Sequence, residues 1–161
     1  MSLNSPSDWG RHGRFLRERA PRILVADDDP DIRGELASAL AEDGFLVVEA
    51  ADGNELLDLV VHAVADPSAH PFFDAIVTDV MMPGFSGLDV LTAMRSRTAR
   101  VPVLVITAYG DERTTRIAES LGAVAVFRKP FELEDLRTAI ENALNHPNRS
   151  RRAGDGDGPV K

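Results

Sequence analysis

Three consecutive aspartates, Asp27-Asp28-Asp29, follow directly on the apolar run Ile23-Leu24-Val25-Ala26. Another aspartate, Asp79, closes a second apolar run, and Thr107 and Lys129 stand at the ends of two more. Carboxylates gathered at the end of a buried strand repel one another. Two unit charges about 4 Å apart do so by roughly 4 kcal/mol at an effective dielectric of 20. A cation relieves that repulsion, as do the amides of a helix start or plain exposure to water. Acids, a hydroxyl and an ammonium on one rim are what a metal-assisted phosphoryl-transfer site needs. Magnesium takes hard oxygen ligands, usually one or two carboxylates plus water and phosphate. A carboxylate can also act as the nucleophile and form an acyl phosphate. The oxygens of the transferred group then need neutralising. Lys129 suits that task as a mobile point charge, and the Thr107 hydroxyl can donate to a further oxygen.

Each residue alone has an ordinary reading. Asp29-Pro30 reads as a helix start, with Asp29 as the N-cap and Pro30 in the first helical position. Asp27 and Asp28 could be solvated loop acids, and Asp79 could cap the turn before Pro83. Thr107 could bond to backbone, and Lys129 could lie in water. Their joint position at the ends of successive strands speaks against coincidence.

The elements that would place them follow from the hydrophobic pattern. Short apolar runs alternate with helical periodicity, the pattern of βαβ units and a parallel sheet. Strands are expected at Arg22 to Ala26, Phe45 to Val48, Phe73 to Thr78, Val101 to Ile106 and Val124 to Phe127. The first helix, from Pro30, carries Ile32, Leu36, Ala39 and Leu40 on one face, and Gly44 is placed to end it. Asp52-Gly53 opens a second helix with Leu56, Leu57, Val60 and Val64, followed by a loop over Asp66-Pro67 to Pro71. Ser86 caps a third with Leu88, Leu91 and Met94. A fourth, Asp111 to Leu121, has a thin apolar face of Ile117, Ala118 and Leu121. The last carries Leu133, Leu136, Ile140 and Leu144. Near-continuous apolar strands imply a sheet covered on both faces. Ligands of such a sheet bind beyond the carboxyl ends of the strands, where these polar residues gather. Glu49-Ala50, at the end of strand two, offers no distinctive chemistry.

The composition fits this reading. At 161 residues the chain is expected to form a single domain. It has no cysteine, so it has neither a disulfide framework nor a thiolate zinc site. No apolar run approaches membrane-spanning length, and the N-terminus lacks the apolar stretch of a signal peptide, so a cytoplasmic protein is expected. The net charge of −8 argues against direct binding of nucleic acid. Arg11, Arg14, Arg17, Arg19 and Arg22 make the N-terminal stretch basic, and a solvated arm is expected there.

The chain resembles the receiver domains of bacterial two-component response regulators, the CheY-like family. The resemblance is carried by Ile23-Leu24-Val25-Ala26-Asp27-Asp28-Asp29-Pro30, by Asp79-Val80-Met81-Met82-Pro83-Gly84 with Ser86-Gly87-Leu88, by Val105-Ile106-Thr107-Ala108, and by Lys129-Pro130-Phe131. It spans Pro21 to Asn145. It implies a flavodoxin-like (βα)5 doubly wound α/β fold with strand order 2-1-3-4-5, in which strands one and three are neighbours. It implies that Asp79 is the phosphoacceptor, served by a sensor histidine kinase or a phosphotransfer protein. Asp28, Asp79 and the Met81 backbone carbonyl would ligate Mg2+ (or Mn2+ in its place), with Asp27 acting through a metal-bound water. Thr107 and Lys129 would hold the phosphoryl group, and the Lys129–Pro130 bond would be cis. Signalling would pass through the α4-β5-α5 face to a downstream protein target, with phosphorylation-dependent homodimerisation as one form of output. The protein would be a phosphoacceptor, not an enzyme with a substrate of its own.

The sequence departs from the family in one place. An aromatic residue usually stands three positions before the lysine. Here that position is Val126, and the aromatic residue is Phe127, one step along. Tyr109 and Met81 each lie two residues past a site residue, Thr107 and Asp79 respectively. Two readings stand for them: residues that overhang the phosphate and slow its loss, or an ordinary surface tyrosine and methionine.

Three other functions fit less well. A haloacid-dehalogenase-like aspartyl-phosphate phosphohydrolase has a second acid two residues after its nucleophile, and here that residue is Met81. A dinucleotide-binding domain needs a Gly-rich turn after the first strand. A receiver that no longer accepts phosphate would lack site residues, and all of them are present. The expected organisation is a basic extension over residues 1–20, a receiver over 21–146 and a polar tail over 147–161. That leaves no room for an output domain, so the chain is expected to be a stand-alone receiver or part of a longer regulator.

Overall fold

The computed structural model describes residues 19–65, 73–95, 101–108 and 112–145. The basic extension before Arg19, the loop expected at Asp66 to Pro71, Tyr109, the expected helix start at Asp111, the side chain of Val64 and the polar tail lie outside the described residues.

Five strands alternate with five helices: β1 Arg22–Ala26, α1 Pro30–Glu42, β2 Leu46–Ala50, α2 Gly53–Ala65, β3 Ala75–Asp79, α3 Gly87–Arg95, β4 Val103–Thr107, α4 Glu112–Ser120, β5 Ala125–Arg128 and α5 Leu133–Asn145. The strands pair in parallel in the order β2-β1-β3-β4-β5, as expected. Side chains alternate between the two faces of each strand. Ile23, Val25, Val77, Leu104, Ile106 and Phe127 therefore pack on one face with Leu36 and Leu40 of α1 and Leu136, Ile140 and Leu144 of α5. Leu24, Ala26, Ile76, Val103, Val105 and Val126 pack on the other with Leu56 and Val60 of α2, Leu91 and Met94 of α3 and Ala118 of α4. Burying one such Leu or Ile side chain contributes about 1.5–3 kcal/mol. Two apolar layers on a single sheet thus supply most of the favourable term, and they fix the height of each strand end.

The helix ends are set locally. Asp29 caps α1, its Oδ1 accepting from the amides of Asp31 at 2.9 Å and Ile32 at 3.4 Å, and Pro30 fills the first position. The helix stops at Gly44, whose φ of 91° lets its amide reach the Ala41 carbonyl and that of Phe45 reach the Leu40 carbonyl. Ser86 and Asp89 cap α3 reciprocally, the Asp89 amide donating to Ser86 Oγ and the Ser86 amide to Asp89 Oδ2.

β1 spans the expected residues, whereas the other four strands lie one to two residues later than the apolar runs suggest. Phe73 is buried but precedes the pairing of β3, because Asp74 turns the chain there: its amide donates to the Arg22 carbonyl and its Oδ2 accepts from the Arg22 amide, both at 2.7 Å. Val101 precedes β4 because Pro102, next to it, has no amide to donate, although its carbonyl accepts from Ile76. Phe45 closes the α1 turn and lies outside β2. In α4, Ala118 is fully buried while Ile117 turns outward and is 37 % exposed.

Candidate functional site

The site forms where β1 and β3 run side by side. The register pairs Ala26 with Thr78, so the residues that follow, Asp27 just past β1 and Asp79 at the end of β3, emerge at the same height. Strand order reverses at this point, which opens a crevice at the carboxyl edge of the sheet. Asp27, Asp28 and Asp79 each bring a carboxylate oxygen within 4.8 Å of the others. Asp27 and Asp79 are buried, whereas Asp28 faces solvent.

Lys129 is the counter-charge. Its Nζ lies 2.6 Å from Asp79 Oδ2 and 3.1 Å from Asp27 Oδ2. The other oxygens of these two acids are also engaged. Asp27 Oδ1 accepts from the Asp29 amide and Asp79 Oδ1 from the Met81 amide, each at 2.9 Å. The Lys129 amide donates to the Thr107 carbonyl at 2.8 Å, which ties the end of β5 to β4. The Lys129–Pro130 bond is cis. Phe127 and Phe131, on either side of this pair, bring their rings to 5.8 Å between centroids at 52°.

Opposing effects set the charge states. Burial pushes the Asp79 carboxyl above its ordinary value of 3.8. The Lys129 and Met81 hydrogen bonds and the lysine charge pull it down, and the Asp27 charge adds to the rise. Burial also disfavours the charged form of Lys129, but its bonds to Asp79 and Asp27 outweigh this and raise it above 10.5. The ammonium is therefore retained between two carboxylates.

The loop after Asp79 is held in close contact. The Gly53 amide donates to the Pro83 carbonyl at 3.1 Å, and a Cβ at Gly53 would overlap the Phe85 carbonyl. A Cβ at Gly87 would overlap the Asp79 carbonyl. Gly84, at φ +79°, packs against the Asn54 side chain. Met81 projects into solvent from this loop and is 60 % exposed. Next to Lys129, a mainly apolar groove of about 480 Å³ opens between α1 and the β5–α5 connection, lined by Ile32, Leu36, Pro130, Phe131 and Leu133 among others.

The structure thus brings Asp27, Asp28, Asp79 and Lys129 together, with buried Thr107 on the adjacent strand end. Tyr109 lies outside the described residues. Val126 packs into the layer facing α2, α3 and α4, while Phe127 faces α1 and α5. Sequence reasoning missed Arg33, whose Nη1 donates to the Asp27 carbonyl at 2.8 Å and whose Nε pairs with Glu49 at 3.3 Å. Glu49, at the end of β2, is therefore not idle. An arginine one helical turn after the Asp29 cap was the available signal. No helix among the described residues is long and apolar enough to cross a membrane.

Known proteins share both the sequence and the architecture. The chain is 39 % identical over 135 residues to the response regulator MprA of Mycolicibacterium vanbaalenii, covering 83 % of this chain and 54 % of that protein. It is 37 % identical over 123 residues to the regulatory protein AtoC of Escherichia coli, covering 76 % and 25 %. The chain therefore spans about half or less of these two relatives. With the sporulation initiation phosphotransferase F of Bacillus subtilis it shares 30 % identity, covering 76 % of this chain and 93 % of that protein. A response regulator receiver domain from Clostridium thermocellum superposes with a TM-score of 0.68 at 31 % identity, covering 78 % of this chain and 95 % of its own. The family model described as the response regulator receiver domain matches residues 23–141, the same stretch that builds the sheet and carries the acidic crevice. The chain belongs to the response regulator receiver family.

Proposed function

We propose that Asp79 accepts a phosphoryl group from a phosphohistidine of a sensor kinase or phosphotransfer protein, in a magnesium-dependent reaction. The observation that carries this reading is the setting of the Asp79 carboxylate: buried at the end of β3, bonded to Lys129 and grouped with Asp27 and Asp28. Three carboxylates within 4.8 Å are a hard-oxygen donor set that fits Mg2+, or Mn2+ in its place. Asp28, Asp79 and the Met81 carbonyl would hold the ion directly, and Asp27 would do so through water. The bound ion would neutralise charge on the transferred oxygens.

In the transfer an Asp79 oxygen attacks phosphorus. The P–N bond to the imidazole breaks, its electron pair returns to the ring nitrogen, and an acyl phosphate forms on Asp79. Lys129 exchanges its bond with Asp79 for one with a phosphoryl oxygen, and the Thr107 hydroxyl donates to another. The apolar groove next to Lys129 would receive the donor's helix. The output would be a shift at the α4-β5-α5 face, for which the shallow anchoring of α4 through Ala118 is support. A downstream protein would read that shift, with homodimerisation as one route, in the cytoplasm and without direct contact to nucleic acid.

Incubation with magnesium and acetyl phosphate, read by intact mass, tests the reading. A phosphate adduct is expected in the wild type and none in Asp79→Asn. Absence of an adduct with both acetyl phosphate and a phosphorylated kinase would refute it. A second reading, that the chain is the receiver part of a longer regulator, is favoured by its 25 % coverage of AtoC and 54 % coverage of MprA.

A further inference from the structure

We propose that Arg33 is a positioning residue that fixes the β1–α1 acidic loop and thereby aims Asp28. The inference rests on the metal-site reading above. Asp27 and Asp79 each have both carboxylate oxygens engaged. Asp28 differs: it is exposed, and its side chain makes no hydrogen bond among the described residues. Its carboxylate still lies within 4.8 Å of the other two. With no side-chain hydrogen-bond partner among the described residues, Asp28 is placed by the peptide planes on either side of it.

Both planes are held. On the far side, the Asp29 amide donates to Asp27 Oδ1 at 2.9 Å. On the near side, the Asp27 carbonyl accepts from Arg33 Nη1 at 2.8 Å. The guanidinium is held in turn by Glu49, whose Oε1 lies 3.3 Å from Arg33 Nε. Glu49 stands on β2 opposite Val25 of β1, so the arginine spans from the first turn of α1 to the neighbouring strand. One planar fork binds a carbonyl through one nitrogen and a carboxylate through another. Lysine, a single point charge, cannot reproduce this.

Charge and position make opposite predictions here. Arg33 places a positive charge next to a cation site. If charge were its only effect, removing it would tighten divalent binding. If it aims Asp28, removing it loosens binding, by about tenfold for a residue that orients a ligand from outside the coordination shell.

The test is calorimetric titration of the whole chain with MgCl2, for wild type, Arg33→Ala, Arg33→Lys and Glu49→Gln, each checked for folding by circular dichroism. A Kd about tenfold higher in Arg33→Ala and Arg33→Lys, with a smaller rise in Glu49→Gln, supports the proposal. An unchanged or lower Kd in Arg33→Lys overturns it, even if Arg33→Ala fails to fold. Amide resonances supply a metal-free readout: those of Asp28 and Asp29 should shift in Arg33→Lys, and unmoved resonances overturn the positioning role. A wild type that binds no Mg2+ overturns the metal-site reading, and the amide shifts then still decide whether Arg33 orders the loop.

Discussion

Lys129 Nζ sits 2.6 Å from Asp79 Oδ2 and also bonds to Asp27, so one ammonium serves two buried carboxylates. Removing one partner of a buried ion pair costs about 3–5 kcal/mol, because the remaining charge is left uncompensated. Lys129→Met should lower metal-free stability by about 3 kcal/mol in urea unfolding. Adding magnesium should recover much of that loss, since a cation bound only to the folded state stabilises it. A variant as stable as wild type in EDTA would show that the two acids do not depend on the lysine.

Asp79 should make a pH-dependent contribution opposite in sign to that of most surface acids. Burial raises its folded value above 3.8. Between 3.8 and that higher value the folded state binds the proton more tightly than the unfolded chain. The group's stabilising contribution is therefore complete below 3.8 and is lost as pH rises through the folded value. In EDTA, the Tm of wild type minus that of Asp79→Asn should fall with rising pH across this window and then level off. A difference that rises with pH would reverse the sign of the shift. Lys129, raised above 10.5, contributes stability below that value and loses it at higher pH, so it is constant throughout this experiment.

Gly53→Ala should disturb the site from a distance. Its Cβ would overlap the Phe85 carbonyl, and Gly53 also holds the Pro83 carbonyl, so the loop after Asp79 has to move. Overpacking of this kind costs roughly 1–3 kcal/mol. A fall in Tm together with slower phosphorylation by acetyl phosphate is expected. Gly34 is the control, since a Cβ there would meet nothing within 4 Å, and Gly34→Ala should leave the site unaffected.

Hydrogen exchange should find α4 the least protected helix. Ala118 is its only fully buried residue, whereas α5 buries Leu136, Ile140 and Leu144. An alanine buries far less apolar area than three large aliphatic side chains, and local opening follows the apolar surface that holds an element down. Amides of residues 112–120 should exchange before those of 133–145. Equal protection would remove the support that shallow burial lends to an output at this helix.

Much of this was legible in the sequence. Runs such as Ile23 to Ala26, periodic sets such as Leu36 with Leu40, and the Asp29-Pro30 start all respond to local or near-local forces, and each stands where expected. Strand edges were less legible because apolar character reports burial and not pairing. Phe73 and Phe45 are buried without being in a strand. Arg33 was missed because its partners, the Asp27 carbonyl and Glu49, come together only once β1 and β2 pair. The Gly53 contact depends likewise on a loop more than thirty residues along the chain.

The ring pair of Phe127 and Phe131 bears on how Lys129 can move. Its backbone is pinned on either side by the two rings and at its own amide by the Thr107 carbonyl, while its ammonium stands free of those anchors. The backbone is the pivot and only the side chain has to travel. An ammonium that leaves Asp79 for an arriving anion therefore needs no rearrangement of the chain beneath it, and the entropy of ordering that segment has already been lost in folding. Aromatic bulk stands at position 127, locked against Phe131, while Val126 is given over to the opposite layer of the core.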